Sequence, residues 1–487
     1  MSLSLTGPGK TKKDMQNRSI GMNIRLIIAV LAAKLASFIS RRFGGRGSSL
    51  PGVVARKIYP NVLTELAGQV CRGIIMVTGT NGKTTTNNMI ASIMKSCGFS
   101  LVINREGANL ITGVTAAFIR HADWLGRVKC DYALLEVDEA SLPKVVKEVQ
   151  PQLVVVNNFF RDQLDRYGEL DKTVKLVSDA LQSLPQVHLV LNADDPLVAQ
   201  LSVTTGHKAS FFGLAANQRT DTGTRQTREA RFCPRCGCEL HYRTYQYSQL
   251  GTYSCPHCGF QRPTPQVEGI KVTTGNTGLS CLVRYSGGET AMSVRTQGYY
   301  NLYNALAAFT VGYLMNIETR LILQGLLRYK PAIGRMETFR HNGKPVLLNL
   351  VKNPTGFNEG IAALVNIPGS KNVFMAVNDN DADGRDISWL WDVDFEYLAA
   401  YQNDIEIFVC SGLRGEEMAL RLKYAGVDLQ KITVTKELAA AINEVLAGPG
   451  ETTYLYTTYT ALWPTQKVLC GLAVKEDLHA ESLSPLS

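Results

Sequence analysis

The sequence predicts an α/β protein: a mostly parallel sheet covered on both faces, interrupted by a cysteine-rich insert and followed by a second α/β domain. Three observations carry this expectation. Short apolar runs, "GIIMVTG", "YALLEVD", "LVVVNN" and "VHLVLNADDP", alternate with segments of helical spacing, the rhythm of parallel strands joined by crossover helices. A polar stretch from about 217 to 265 breaks that rhythm and holds five of the eleven cysteines. A second series, "PVLLNLV", "NVFMAVND", "IEIFVCSG" and "TTYLYTTY", follows "GRMETF" at 334–339. At 487 residues the chain also exceeds what one hydrophobic core usually serves, so two or more domains are expected.

Taken in order, residues 1–21 are polar and basic and read as a disordered extension, with Met22 a plausible native start. Residues 22–52 read as an amphipathic helix, "IRLIIAVLAAKLASFISRRF", and a linker, "GGRGSSLPG". Lys34 interrupts the helix's apolar run, which is too short for a membrane span; it is expected to pack on the protein or to rest on an anionic membrane surface. Residues 53–337 then form the first α/β domain and 338–487 the second. With 45% hydrophobic and 19% charged residues the composition is that of an ordinary globular protein. The net charge of +9 favours anionic partners without selecting among phosphate, acidic lipid and nucleic acid. Eleven cysteines without a secretory signal point to a reducing compartment, the cytoplasm.

The stretch "VTGTNGKTTTNN" sits between an apolar strand and a helix. It matches a phosphate-binding loop except that Val77 stands where the usual pattern has its first Gly. Gly79, Thr80, Asn81, Gly82, Lys83, Thr84 and Thr85 would therefore present backbone N–H groups and a helix N-terminus to the phosphates of ATP. Lys83 would reach the terminal phosphates and the Thr84 hydroxyl would ligate Mg²⁺. A second magnesium ligand should come from a neighbouring strand end, where Glu136 closes "YALLE", with Asp138 and Glu139 just behind. In the insert, Cys233, Cys236, Cys255 and Cys258 form two Cys-x-x-Cys knuckles 18 residues apart, the spacing of a structural four-thiolate zinc ribbon. Cys238 and His257 are near enough to compete.

Together these residues resemble the ATPase core of the Mur ligase family, which includes folylpolyglutamate synthase. "GTNGKTT", the strand-end Glu136, "NNFFRDQLDRYG", "NADDP", "GYYNLYNALAA" and "GRME" follow one another in the family's order over residues 70–340. The resemblance implies that ATP phosphorylates a substrate carboxylate and that a nitrogen nucleophile then attacks the acyl phosphate. It also implies that Thr84 and Glu136 hold Mg²⁺, that Asn304 lies on the adenine side, and that Arg335 reaches the phosphates from an interdomain hinge. The departures matter as much. Asp162-Gln163-Leu164-Asp165 lacks the family's metal-binding His, and Val177 stands near its carbamylated lysine. Asn349-Leu350-Val351-Lys352-Asn353-Pro354 replaces the motif that opens the family's third domain. Only about 70 residues precede the loop, which leaves no room for a uridine-nucleotide domain.

One subgroup of the family combines the shortened N-terminus, the zinc ribbon and "RDQLDRYGE". Its resemblance implies amidation of the D-Glu α-carboxylate in the lipid II stem peptide, using ammonia from a class I glutaminase subunit in a heterodimer; the N-terminal helix adds peripheral contact at the membrane inner face as an expectation. The C-terminal domain is then expected to lend an Asp to the partner's Cys-His pair. The source is "NDNDADGRDISWLWDVDFE" at 378–396, where Asp392, beside Trp389 and Trp391, is favoured over Asp383 and Asp386. Two other readings stand beside this one. The first is a ligase that adds an amino acid. The second is a nucleic-acid-binding ATPase that uses the arginines of the ribbon; no nucleic acid is expected on the leading reading.

Overall fold

The computed structural model describes residues 23–42, 49–104, 107–162, 169–216, 229–275 and 278–476. The extension expected at 1–21, the segment 163–168 and Arg219, Arg225 and Arg228 of the insert lie outside the described residues.

The first domain is built on β1 (Gly73–Thr78), β2 (Leu101–Ile103), β3 (Tyr132–Glu136), β4 (Leu153–Val156), β5 (His188–Asn192) and β6 (Lys208–Leu214). Apart from them, β7 (His241–Tyr247) pairs with β8 (Leu250–Ser254) in a separate hairpin. The main sheet is completed by β9 (Val267–Gly275), β10 (Gly278–Tyr285) and β11 (Gly288–Val294). Its order is β11-β10-β9-β6-β5-β4-β1-β3-β2, parallel from β2 to β9 and antiparallel at the β9–β10–β11 edge. β4 is buried along its whole length, as expected of a Val-rich strand covered on both faces. One face packs against helices that include Ile111–His121 and Leu142–Val149, the other against Lys83–Ser96 and Tyr300–Leu314. Leu142, Val145, Val146 and Val149 show how such a helix attaches, since their spacing puts all four on one buried stripe.

β1 lies between β3 and β4. Because β2 and β3 run out to one side and β4–β6 to the other, the connection reverses direction there, and a crevice opens at the carboxyl ends of the strands.

The second domain contains β12 (Glu337–His341), β13 (Lys344–Leu350), β14 (Lys371–Ala376), β15 (Ile405–Ser411), β16 (Ile432–Val434), β17 (Thr452–Thr457) and β18 (Val474–Lys475). They form a sheet in the order β16-β15-β14-β17-β13-β12-β18, parallel from β16 to β13. The four apolar runs read from the sequence are β13, β14, β15 and β17.

The N-terminal region departs from expectation in two ways. Residues 50–52 are not linker: Leu50–Ile58 is a helix, with Pro51 pre-set for its first turn. The Ile24–Arg42 helix is not amphipathic in the usual sense, because both its buried and its exposed faces are apolar. The helix at Leu50–Ile58 lies so close to Ile111–His121 that a β-carbon at Gly52 would stand 1.8 Å from the Thr112 carbonyl oxygen. Backbone cannot yield as a side chain can. Gly52→Ala is therefore expected to lower stability by about 1–3 kcal/mol, seen as a lower Tm and faster proteolytic release of the N-terminal helices; an unchanged Tm would contradict this packing.

Candidate phosphate-binding cleft and thiolate centre

β1 ends at Thr78 and the helix Lys83–Ser96 begins five residues later, so Gly79–Gly82 turn at the crevice between the domains. Gly82 has a left-handed backbone (φ 82°), and a β-carbon there would stand 2.1 Å from Asn304 Oδ1; only glycine serves. No side chain caps the helix start, which leaves the N–H groups of its first turn directed at the cleft, a ready anion site. The loop is held from β4's end. Asn81 N–H donates to Asn158 Oδ1 (2.8 Å), Thr80 N–H to the Asn158 carbonyl (2.9 Å), and Phe160 N–H to Thr80 Oγ1 (3.0 Å).

Lys83 is buried, and its ammonium donates to the Gly79 carbonyl (2.7 Å) and to Glu139 Oε2 (3.1 Å). Burial alone would lower its pKa. The charges of Glu139, Asp138, Glu136 and Asp162 outweigh that, and the net direction is up. Glu136 is pushed above the usual carboxylate range by burial, an effect opposed by Lys83, by a hydrogen bond with the Thr84 side chain, and by Arg335 and Lys352. Thr84 and Glu136 thus form a hydroxyl–carboxylate pair at the cleft wall, a hard-oxygen donor set that fits Mg²⁺.

The second domain closes the other side of the cleft. Arg335, Lys352, Asn378, Asp383, Tyr459 and Trp463 line it together with Lys83, Thr84 and Glu136, around roughly 230 Å³ of space. Lys352 Nζ donates to Asp162 Oδ2 across the domains at 2.7 Å. Beside it Asn353 Nδ2 donates to Asn81 Oδ1 at 3.0 Å, so that the second domain touches the loop itself. Arg335 is set by a rigid hinge: Met336 has a left-handed backbone (φ 56°), and buried Glu337 accepts from Gly334 N–H, Gln466 and Lys475.

Not every expected site residue lines this cleft. Asn304 is buried behind the loop, where its Oδ1 accepts from Thr86 Oγ1 (3.1 Å) and its Nδ2 donates to Asn301. Thr85 is buried within the first turn of the same helix. Lys352 and Trp463 were not singled out as site residues by sequence reasoning. For Lys352 a signal existed, its place just before the Asn353-Pro354 helix start; Trp463 carried none.

The acids of 378–394 separate by what holds them. Asp379 pairs with Arg414 and Asp381 with Arg385. Asp383 accepts from the backbone and hydroxyl of Thr460, Asp386 from Ser388 N–H, and Asp394 caps the helix Phe395–Ala400. These are turn and cap duties. Among the described contacts, Asp392 makes a single ion pair, with Arg161 at 3.7 Å, and its side chain is 40% exposed. Trp391 beside it is exposed and stacks edge-on with Tyr424, whereas Trp389 is buried.

In the insert, Cys233 Sγ lies 3.6 Å from Cys258 Sγ, and Cys236 Sγ 3.5 Å from Cys255 Sγ; all four sulfurs fall within 4.8 Å of one another. Backbone N–H groups of Arg235 and Cys236 point at the Cys233 sulfur, and those of His257 and Cys258 at the Cys255 sulfur. Tetrahedral zinc–sulfur bonds of about 2.3 Å put sulfurs roughly 3.8 Å apart, so the set fits the ion. Cys236, Cys238 and His257 form an overlapping group, but one that lacks the paired knuckles. The insert is moored to the first domain through Asp194, which takes Arg262 Nε at 2.6 Å and the Tyr303 hydroxyl at 2.7 Å.

The fold is shared with known ligases. The chain matches a pseudomurein peptide ligase type C from Methanothermus fervidus with a TM-score of 0.63 at 22% identity, covering 84% of this chain and 80% of that one. It matches Mycobacterium tuberculosis folylpolyglutamate synthase, solved with ADP and AMPPCP, with a TM-score of 0.59 at 13% identity over 84% and 94%. Family profiles match as well: Mur ligase middle domain over residues 77–248 and MurT ligase C-terminal over 350–462. Among curated relatives, the lipid II isoglutaminyl synthase (glutamine-hydrolyzing) subunit MurT of Staphylococcus aureus (strain N315) is 37% identical over 90% of this chain and 96% of its own length. The subunit of the same name from Streptococcus pneumoniae (strain ATCC BAA-255 / R6) is 34% identical over 92% and 98%. Similarity of this depth, over nine-tenths of the chain and nearly the whole of each relative, means that the chain belongs to the MurT family of Mur-fold ligases.

Proposed function

We propose that this chain is the ATP-dependent synthetase subunit of a glutamine-hydrolysing amidotransferase that converts the D-Glu α-carboxylate of the lipid II stem peptide to D-isoglutamine. The observation that carries the reading is the make-up of one cleft: an uncapped helix start with Lys83 and the Thr84–Glu136 pair on one wall, Arg335 and Lys352 on the other. Phosphoryl transfer from ATP to a carboxylate is accelerated mainly by positioning and by neutralising charge. Lys83 and the loop N–H groups serve the terminal phosphates, and Arg335 faces them from the hinge. Thr84 and Glu136 would hold Mg²⁺, which supplies further charge neutralisation when bound. Lys352 is placed to meet the substrate carboxylate or the acyl phosphate formed from it. Ammonia then displaces the phosphate, and it needs no amino-acid carboxylate pocket.

Ammonia is taken to come from a class I glutaminase partner in a heterodimer. Asp392 is the acid assigned to that partner's Cys-His pair, because the other five acids of the segment are held by closer turn, cap or ion-pair contacts, whereas its own pair with Arg161 spans 3.7 Å. The zinc assigned to Cys233, Cys236, Cys255 and Cys258 is structural, since four thiolates leave no open position. A lipid-linked substrate places the reaction at the inner face of the membrane.

Lys83→Ala is expected to reduce amidation at least about 10²-fold while the protein stays folded; a near wild-type rate would remove the loop from the reaction. Elemental analysis should find about one Zn²⁺ per chain, and Cys258→Ser should lower both that content and the Tm. Zinc-free wild-type protein would overturn the thiolate centre. Asp392→Asn should suppress glutamine hydrolysis by the complex by up to about 10⁴-fold, since an amide favours the wrong His tautomer, while amidation driven by ammonium salt continues. Loss of both reactions would place Asp392 in the synthetase site instead.

A further inference from the structure

The Ile24–Arg42 helix buries Leu26, Ala29, Val30 and Ala33 against the first domain. Its opposite side carries Ile24, Ile28, Leu31, Leu35, Phe38 and Ile39, all exposed, with Ile24, Leu35 and Phe38 at 65%, 60% and 70%. At 100° per residue these six fall within an arc of about 100° along the whole helix. A helix that is apolar all round is one whose every face is covered, and a continuous exposed stripe of this length marks an interaction surface. The turn at 123–127 extends it. Trp124 is 67% exposed and lies beneath the Lys34 ammonium (5.4 Å to the ring centre), and Leu125 is also exposed.

We propose that this stripe, with Trp124 and Leu125, docks the protein on the surface of an anionic lipid bilayer. Two features of the surface itself favour lipid over protein. The charges bordering it are mainly basic: Arg25 and Lys34 flank the stripe, and Arg127 and Lys129 follow the turn, against Asp123 alone among the acids of that turn. Trp124, with a cation above its ring, is the type of residue that settles at a lipid–water boundary. The helix does not span. One of its faces is committed to the protein core, and no helix among the described residues is long and apolar enough to cross a membrane. It would lie in the interface plane, its apolar face in the acyl boundary and its basic edges among the headgroups.

The position suits the reaction proposed above, on which the choice of a membrane partly rests. Leu110 lines the cleft and caps the Ile111–His121 helix, whose other end leads into the turn bearing Trp124. That helix is roughly 16 Å long, so the surface and the cleft are joined by one rigid element. Docking by the stripe would hold the cleft at a fixed, short height above a bilayer that carries the substrate's lipid.

The test is sedimentation of the full chain with phosphatidylglycerol vesicles and with phosphatidylcholine vesicles, which needs neither nucleotide nor substrate and so can fail independently of the proposed function. The wild type is expected to partition onto phosphatidylglycerol, less onto phosphatidylcholine, and less at high salt. Leu35→Ser with Phe38→Ser, both exposed positions, should leave the Tm unchanged and lower partition at least about tenfold. The same variant should keep its rate on a lipid-free substrate analogue and lose it on vesicle-borne substrate. No partition of the wild type, or equal partition of the variant, overturns the proposal. So does a wild-type dimer that the variant converts to monomer, or a loss confined to glutaminase binding, either of which would give the stripe to a protein surface.

Discussion

Lys83 carries its charge into a site almost closed to solvent, and Glu136, Asp138, Glu139 and Asp162 surround it. A buried ammonium is costly unless it is paired and hydrogen-bonded; here two loop carbonyls and Glu139 supply the partners. The same contacts close the loop on itself, because the carbonyls belong to Gly79 and Thr80. Charge compensation and loop shape are therefore one constraint. Whatever binds at this helix start meets a lysine already fixed at the loop and a carboxylate, Glu136, held ready beside a hydroxyl.

That constraint reaches the second domain through polar contacts. Lys352 answers Asp162, and Asn353 answers Asn81. Contacts of this kind can part and re-form more readily than an apolar seam, since each group finds water when separated. The hinge is different. Met336 holds a strained backbone angle, and Glu337 is fastened by three donors, so the point about which the domains meet is tightly held while the contacts between Lys352 and Asp162 and between Asn353 and Asn81 are polar. Arg335, which lies in the tightly held part, keeps its place in the cleft wall.

The thiolate insert illustrates a separate economy. Its own apolar cluster is small, built around Cys233, Leu240, Tyr253, Cys255 and Phe260, too little to order a hairpin in water. A four-thiolate metal site would supply the missing stability. Asp194, in the buried "NADDP" turn, then fixes the insert's orientation through Arg262, and Gln249 reaches back to the Phe159 carbonyl next to the loop's support. The insert is thereby tied to the same strand ends that carry the phosphate loop.

By itself the sequence determined whatever depends on local pattern. Strand–loop–helix around Gly79–Thr84, the two cysteine knuckles and the alternation of apolar runs all express backbone geometry at short range, which is why they could be read without a fold. Among the six acids between Asp379 and Asp394 it favoured Asp392 only through the neighbouring tryptophans, and tertiary contacts supplied what holds the others: Thr460, Arg414 and Ser388 come from elsewhere or from the turn's own closure, and they leave Asp392 the least engaged. The same holds for Asn304, whose place behind Gly82 rather than in the cleft is decided by how Tyr300–Leu314 packs on Lys83–Ser96. Lys352 and Trp463 joined the cleft only because one domain lies against the other, a relation that no local periodicity encodes. The N-terminal helix is the plainest case. Its pattern read as an amphipathic helix with one face to cover, and only the folded chain showed that both faces are apolar, which one the protein covers and which it leaves exposed.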